Sequence, residues 1–280
     1  MSDQVERVGK LTREEFLRDY LQKNKPVILT DVLSSWPALE RWSPEYLKEV
    51  AGENEITVHY NEEGSFFDWY VNHAKRVDVQ MKFGELIDRL RNDPQGREYY
   101  MTEYRLRLVS EKLLADVDFS DYFDGASEPY EPMLFLGRDT SMPLHYHGKM
   151  EAFLCQLQGE KRVTLFSPAD YSNLYPGSWY QRYPLFSRID GRKIHADEVD
   201  TNRFPRFPRA KPIEFQLHPG EMLFIPVHWW HLTAVGGYQV SVSHFFRAGI
   251  KQWNFPKPGM AVLARETKLK AAALFGRNSA

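Results

Sequence analysis

The chain is poor in cysteine, in long apolar segments and in net charge. Cys155 is the only cysteine in 280 residues, so no disulfide can form within the chain. No apolar run approaches the ~18 residues that span a membrane, and the polar segment 1–7 lacks the apolar core of a signal peptide. A net charge of −2 favours neither nucleic acid nor a membrane as a general partner. We therefore expect a cytoplasmic protein without membrane contacts.

The rest of the composition is that of a folded domain. Hydrophobic residues make up 42% of the chain and charged residues 26%, and both are ordinary values. A chain of this length can bury a large core. Composition thus predicts a globular protein, and only particular motifs can indicate its function.

Three histidines form the most informative motif. His145 and His147 are separated by one residue and lie between two apolar segments, 133–136 and 153–157. Side chains alternate between the two faces of a strand, so both histidines point the same way. A further apolar segment begins at a Pro-Gly turn and ends shortly before His231. If these strands meet in a small β-barrel, three imidazoles converge, and imidazole binds iron, zinc, copper and nickel.

The other histidines lack this spacing. A single histidine is usually a hydrogen-bonded core or surface residue. His228 precedes His231 by three residues, so an extended chain would direct it to the other face, and we expect it to have a supporting or structural role. Histidines without a partner at ligand spacing are His59, His73, His195, His218 and His244.

Around these histidines the sequence resembles the cupin superfamily. The second cupin motif, Gly, Pro, His, is matched by Gly220, Pro226 and His231. The first motif, Gly, His-x-His, Glu, Gly, is matched in order by Gly137, His145, His147, Glu151 and Gly159.

Within that superfamily the chain resembles the JmjC family, especially its small cupin-like hydroxylases. The resemblance runs roughly from Lys25 to Phe246, and the run that ends in Trp-Trp-His231 is its most specific part. The matching segments are 143–146, 159–168, 174–176 and 225–231.

This resemblance implies a mainly β fold, a double-stranded β-helix (jelly-roll or cupin barrel) with flanking α-helices. It implies a barrel domain over residues 1–257, elaborated at its N-terminal side by helices and a strand. A C-terminal helix is expected over residues 258–280, because leucines recur at helical spacing between 260 and 275. In related hydroxylases such a helix can build a dimer, so a homodimer through it is expected.

One position departs from the JmjC pattern. The family's iron site is His-x-Asp or His-x-Glu with a distal histidine, whereas His147 occupies the acidic position here. Either the metal is held by three histidines alone, or a nearby carboxylate also coordinates it. Glu151 is the possible fourth ligand. However, the segment from His145 to Gly159 is one residue longer than in JmjC hydroxylases. The alternative register turns Ala152 inward and Glu151 away.

The resemblance also implies residues that bind 2-oxoglutarate. Lys161 matches the lysine that pairs with the far carboxylate through a charge-assisted hydrogen bond. Tyr100 matches a strand whose tyrosine hydroxyl reaches the same carboxylate. Where some members carry a distal asparagine, this chain has Ser243 or His244, depending on the alignment. The alternatives are a solvated lysine at Lys161 and simple packing at Tyr100.

Three functions are compatible with these motifs. The first is an Fe(II)- and 2-oxoglutarate-dependent oxygenase, an oxidoreductase that hydroxylates its substrate. The second is a cupin metalloenzyme whose three-histidine site does not use 2-oxoglutarate, and the third is a catalytically silent JmjC-like binding protein. The first is favoured by the resemblance. A protein side chain, a modified nucleoside and a small metabolite all remain open as its substrate.

Overall fold

The structure, a computed structural model, describes residues 4–63, 66–71, 77–122, 130–177 and 185–276, and these fold mainly into β-strands. His73 lies outside the described residues. In chain order the strands are β1 (Glu6–Val8), β2 (Val27–Leu29), β3 (Glu55–Tyr60), β4 (Val77–Lys82), β5 (Tyr99–Arg105), β6 (Met133–Arg138), β7 (Ser141–Tyr146), β8 (Met150–Gln158), β9 (Lys161–Phe166), β10 (Ile213–Leu217), β11 (Met222–Ile225), β12 (Trp230–Val235) and β13 (Tyr238–Arg247).

The strand order is that of a jelly roll. The larger sheet has the order β1-β2-β11-β8-β13-β6-β5-β3-β4, and the smaller sheet has the order β10-β9-β12-β7. From β6 onward the chain crosses repeatedly between the two sheets, and neighbouring strands are antiparallel. The expected mainly β jelly-roll fold is confirmed. Its sheets are open, because none of the described strands joins the two sheets or pairs β1 with β4.

An apolar layer holds the two sheets face to face. On β8, Ala152 and Leu154 belong to the same buried cluster as Val163 of β9, whereas Phe153 and Cys155 belong to the cluster on the other face. This alternation follows from the two-residue period of a strand. It decides which side chains of the larger sheet reach the space between the sheets.

Helices cover the outer face of the larger sheet, and two of them begin at side-chain caps. Thr12 and Glu15 form a capping box, and the Ser43 hydroxyl accepts a hydrogen bond from the backbone N–H of Tyr46. The α-helices are α1 (Arg13–Phe16), α2 (Pro37–Arg41), α3 (Pro44–Ala51), α4 (Phe67–Val71), α5 (Phe83–Asn92), α6 (Leu106–Val109), α7 (Glu111–Leu114), α8 (Gly191–His195) and α9 (Gly259–Gly276).

The segment between β9 and β10 and the start of α9 cover the outer face of the smaller sheet. Leu174 from that segment, Trp230 from β12 and Val262 from α9 share one buried cluster. The helix expected over 258–280 is thus observed as α9, while residues 277–280 lie outside the described part, and the homodimer stays a prediction. Among the described helices, none combines the length and the apolar character that a membrane span requires.

Candidate metal centre

Three histidines converge between the sheets. His145 lies in β7, His147 follows its last residue, and His231 lies in the neighbouring strand β12, directly opposite His145. One ligand nitrogen from each ring lies within 4.8 Å of the other two. The ring centroid of His231 is 4.1 Å from that of His145 and 4.7 Å from that of His147. The structure therefore brings together the three side chains that the sequence indicated.

A β-bulge in β7 sets the direction of His145. Between the pairs His231–His145 and Thr233–Met142, β7 has one residue more than β12. The extra residue lets Met142 and His145 line the same pocket, although strict alternation would place them on opposite faces. Bulges re-aim side chains in this way and are frequent next to functional sites.

Backbone carbonyls fix the tautomers of two of these imidazoles. The Nδ1 atom of His145 lies 2.8 Å from the carbonyl oxygen of Pro143, and that of His231 lies 3.2 Å from the carbonyl oxygen of Trp229. A carbonyl can only accept, so both Nδ1 atoms carry hydrogen and both Nε2 atoms keep a lone pair. Nδ1 of His147 is buried and has no hydrogen-bond partner among the described residues. These donor atoms fit a divalent transition metal.

Burial keeps the three imidazoles uncharged. Desolvation lowers the pKa of His145 to about 4 and the pKa of His147 to about 3, and it lowers the pKa of His231 well below its ordinary value. For His147 and His231 the neighbouring imidazoles add a smaller effect in the same direction. Because neutral imidazole is the form that binds metals, the cluster is ready to do so at neutral pH.

Glu151 does not join the histidines, and its assignment as a possible fourth ligand is corrected here. Ala152 lines the pocket, so Glu151, one residue earlier on β8, lies on the opposite face. Its Oε2 accepts a hydrogen bond of 2.6 Å from the backbone N–H of Val227. Burial raises the pKa of this carboxyl to about 8. Within the described residues the histidine cluster contains no carboxylate.

Two nearby histidines have structural contacts instead. His228, whose φ is 72°, donates from Nε2 to the carbonyl oxygen of Gly148 at 3.2 Å, and its Nδ1 accepts from the N–H of Asn254 at 3.0 Å. His244 stacks on Phe119 with ring centroids 4.4 Å apart, on the helix-covered face of the larger sheet. Both therefore lie outside the cluster of three histidines.

Lys161 lies in the same pocket and is only 2% exposed. Its Nζ donates a hydrogen bond of 2.7 Å to the Ser241 hydroxyl, which is its only hydrogen-bond partner in the described part of the chain. The ammonium also lies 5.9 Å from the centre of the Phe135 ring. Because burial disfavours the charged form, the pKa of Lys161 falls to about 7. An anion that enters the pocket would reverse this effect.

Tyr100 and Ser243 line the pocket from β5 and β13. Both are buried, and burial raises the pKa of Tyr100 well above its ordinary value. Of the two alternatives at the distal position, Ser243 faces the histidines and His244 faces away, as strand alternation requires.

Several side chains at the site were not identified from the sequence, among them one threonine, one phenylalanine and one glutamate. Thr233 lines the pocket, and its position two residues after His231 on the same strand was a usable signal. Phe186, from the segment between β9 and β10, stacks on His145 at a centroid distance of 5.0 Å. Glu103 also lines the pocket, but no periodicity predicts its direction, because it lies at an irregularity in β5.

Comparison with known proteins identifies the family. The family model for the cupin-like domain matches residues 12–252. JmjC domain-containing protein E of Dictyostelium discoideum is 28% identical over 286 residues, which cover 85% of this chain and 80% of that protein. The chain belongs to the JmjC cupin-like family. The matched region contains every pocket residue named above and excludes α9.

Two further relatives of this JmjC cupin-like protein carry different names. Lysine-specific demethylase 8 of Xenopus tropicalis is 31% identical over 237 residues, which cover 83% of this chain and 50% of that protein. The tRNA wybutosine-synthesizing protein 5 of Gallus gallus is 27% identical over 262 residues, which cover 87% of this chain and 77% of that protein. The chain thus spans about half the length of the demethylase relative.

Proposed function

We propose that this chain is an Fe(II)- and 2-oxoglutarate-dependent oxygenase that hydroxylates its substrate. Lys161 carries the proposal, because it is a buried lysine with a single hydroxyl partner in a pocket that also holds three neutral histidines. A buried ammonium without an anion costs free energy, so a ligand that supplies the anion completes the site. 2-Oxoglutarate has a metal-chelating 2-oxoacid at one end and a free carboxylate at the other.

Different pocket residues would bind the two ends of this cosubstrate. His145, His147 and His231 would hold Fe(II) through imidazole nitrogens. When bound, Fe(II) and 2-oxoglutarate would supply the electrons that activate molecular oxygen, with one oxygen atom going to a C–H bond and the other to succinate. Lys161 would pair with the far carboxylate, and the hydroxyl of Tyr100 would add a weaker, neutral hydrogen bond.

The pocket wall is largely apolar, which strengthens these ionic contacts. Leu154, Ile225 and Phe245 line it together with Phe135. Such side chains exclude water from the carboxylate of the cosubstrate and lower the local dielectric response. Ser243 would accept or donate a further hydrogen bond in this otherwise apolar surrounding.

These residues bind metal and cosubstrate, and they do not indicate the identity of the substrate. One relative is named as a lysine-specific demethylase and another as a tRNA wybutosine-synthesizing protein, so the names of the relatives point to different substrates. A protein side chain, a modified nucleoside and a small metabolite all remain candidates for this chain.

Anaerobic calorimetric titration of 2-oxoglutarate into the metal-reconstituted protein tests the proposal. We expect binding to the wild type and a roughly tenfold or greater loss of affinity in Lys161→Ala, since about 1.4 kcal/mol already gives a factor of ten. Tyr100→Phe should weaken binding less, because it removes one hydrogen bond and no charge.

The matched control is Lys48→Ala, which removes an exposed lysine that pairs with Asp88 far from this pocket. It should bind 2-oxoglutarate as the wild type does, and metal content should be equal in all these proteins. A wild type that holds metal but does not bind 2-oxoglutarate would refute the proposal.

A metalloenzyme that does not use 2-oxoglutarate is the second candidate. It is favoured by His147, which leaves the described metal ligands without a carboxylate, and by a cavity of about 40 Å³, which has room for only a few water molecules. The substitution His147→Asp separates the candidates. It should keep or raise succinate formation from 2-oxoglutarate under the first proposal, and it should abolish the native activity under the second.

A further inference from the structure

Glu103 occupies an irregular position on β5. The register passes from Met101 opposite Leu136 to Tyr104 opposite Leu134, so β5 has one residue more than β6 at this point. Glu103 lies in this bulge with a φ of 50°, in the left-handed region that non-glycine residues rarely adopt. Such a conformation costs about 1–3 kcal/mol and is concentrated at functional sites.

The bulge lets Glu103 line the pocket together with Tyr100, although strict alternation would place these two side chains on opposite faces of β5. Thr102 is buried, and its hydroxyl forms a 2.7 Å hydrogen bond with the hydroxyl of Tyr70. Glu103 reaches the pocket that contains His145 and Lys161, while it stays in contact with solvent. Its carboxylate therefore lies at the mouth of the pocket, whereas the histidines and Lys161 lie deeper.

The Glu103 carboxylate has no ion pair and no hydrogen bond within the described residues. The side chain is exposed at the pocket mouth, and partial desolvation by the pocket wall raises the pKa of its carboxyl above the ordinary value. The negative charge of Glu103 also raises the pKa of Tyr100, after the larger effect of burial, so the two groups are close. A carboxylate in such surroundings is stabilised by a cation.

Neither the metal nor the cosubstrate explains this carboxylate. Glu103 is not among the groups that meet at the histidine cluster. A glutamate would repel the carboxylates of 2-oxoglutarate, which Lys161 attracts. The remaining ligand of an oxygenase is the substrate, which enters through the mouth of the pocket.

We propose that Glu103 determines substrate specificity by binding a positively charged group of the substrate, an ammonium or a guanidinium. This inference rests on the proposed function, because it assigns to the substrate the part of the pocket that the cosubstrate does not use.

Small probes test the inference on the Zn(II)-loaded protein, with and without 2-oxoglutarate. n-Butylguanidinium and n-butylammonium are the cationic probes, and N-butylurea is the neutral one. Binding is followed by the methyl NMR signals of Met142 and Thr233, which line the pocket. We expect both signals to shift with the cationic probes, at concentrations at least about fivefold lower than with the urea, since a partly exposed pair contributes roughly 1 kcal/mol.

The variant Glu103→Gln keeps the shape of the side chain and removes its charge. It should lose the fivefold preference and bind 2-oxoglutarate at least as tightly as the wild type does, because the removed charge repels the carboxylates of 2-oxoglutarate. Glu49→Gln, on the exposed side of α3, is the control and should keep the preference. The inference is overturned if neither cationic probe shifts the two signals, if the urea binds as well as they do, or if Glu103→Gln retains the preference.

The same data separate this inference from the proposed function. Discrimination between the probes without any 2-oxoglutarate binding supports the cation site and refutes the oxygenase. Binding of 2-oxoglutarate without discrimination supports the oxygenase and refutes the cation site. Loss of metal from Glu103→Gln, with the probe preference intact, assigns Glu103 to the metal and also overturns the inference.

Discussion

Glu151 and Ala152 are neighbours on β8, and their side chains lie on opposite faces of the strand. Ala152 lines the pocket, while Glu151 is 1% exposed on the opposite face. Its Oε2 accepts from the N–H of Val227, but its Oε1 has no hydrogen-bond partner within the described residues. A carboxyl in this position resists ionisation, and burial raises its pKa to about 8.

Glu151 should therefore lower stability as the pH rises. Its folded-state pKa of about 8 lies above the ordinary 4.5, so the folded state binds more protons between these values. The contribution of Glu151 is most favourable below about pH 4.5 and falls until about pH 8. Glu151→Gln keeps an acceptor for Val227 and removes the titration. The unfolding free energy of this variant, relative to that of the wild type, should increase by a few kcal/mol as the pH rises from 5 to 8.

Urea denaturation of both proteins at pH 5, 6.5 and 8 measures this difference. Other titrating groups are shared, so they cancel when the two proteins are compared at each pH. A difference that stays constant over this range would show that Glu151 is already ionised in the folded protein at pH 5.

At the scale of the element, the turn from β8 to β9 positions Lys161. Gly159 in this turn has a φ of 67°, and a Cβ atom there would lie 2.4 Å from the carbonyl oxygen of Tyr238. A side chain therefore meets both an unfavourable backbone conformation and a backbone atom that cannot move freely. Lys161 begins β9 two residues later, so the turn sets the depth at which its ammonium lies.

We expect Gly159→Ala to lower the unfolding free energy by about 2 kcal/mol or more, because backbone strain adds to the close contact. Gly237→Ala is the matched control: Gly237 has a φ of 77°, but no described atom lies within 4 Å of the position that a Cβ would take there. It should cost only about 1 kcal/mol, from the backbone conformation alone. Chemical denaturation compares the two variants. Equal losses would show that the contact with Tyr238 relaxes.

At the scale of the whole molecule, the pocket is built from both sheets of the jelly roll. His145 and His231 are far apart in sequence, but they lie on paired strands of the smaller sheet. The larger sheet supplies Tyr100 and Ser243 to the same pocket, so a ligand held there contacts both sheets. Ligand binding should therefore stabilise the molecule as a unit.

A metal that binds only the folded state raises the unfolding free energy. The increase grows with the logarithm of the ratio of metal concentration to Kd. At 100 times the Kd, Mn(II) or Co(II) should add about 2.7 kcal/mol. For a chain of this size that corresponds to a rise in Tm of roughly 5 °C. Thermal unfolding followed by circular dichroism measures the rise. His145→Ala should lose it, whereas His218→Ala, at an exposed site outside the cluster, should keep it. An equal rise in both variants would place the metal elsewhere.

The sequence by itself determined the starts of α1 and α3 and the shared face of His145 and His147, whereas the fold class followed from the resemblance to the JmjC family. The first two depend on local information. Alternation fixes the face of His145 relative to His147, side-chain caps begin helices, and a Pro-Gly turn starts the strand that leads toward His231. Residues whose direction follows from such periods can be predicted from the order of the amino acids alone.

Only the tertiary structure decided which carboxylates reach the pocket. Whether Glu151 or Ala152 faces inward depends on where one extra residue is placed, and a shift by one residue reverses every face of a strand. Glu103 enters the pocket through a bulge, which is defined by its pairing with β6 and leaves no periodic signal along β5. Local rules fix alternation along one strand, whereas register and bulges arise between strands that are distant in sequence.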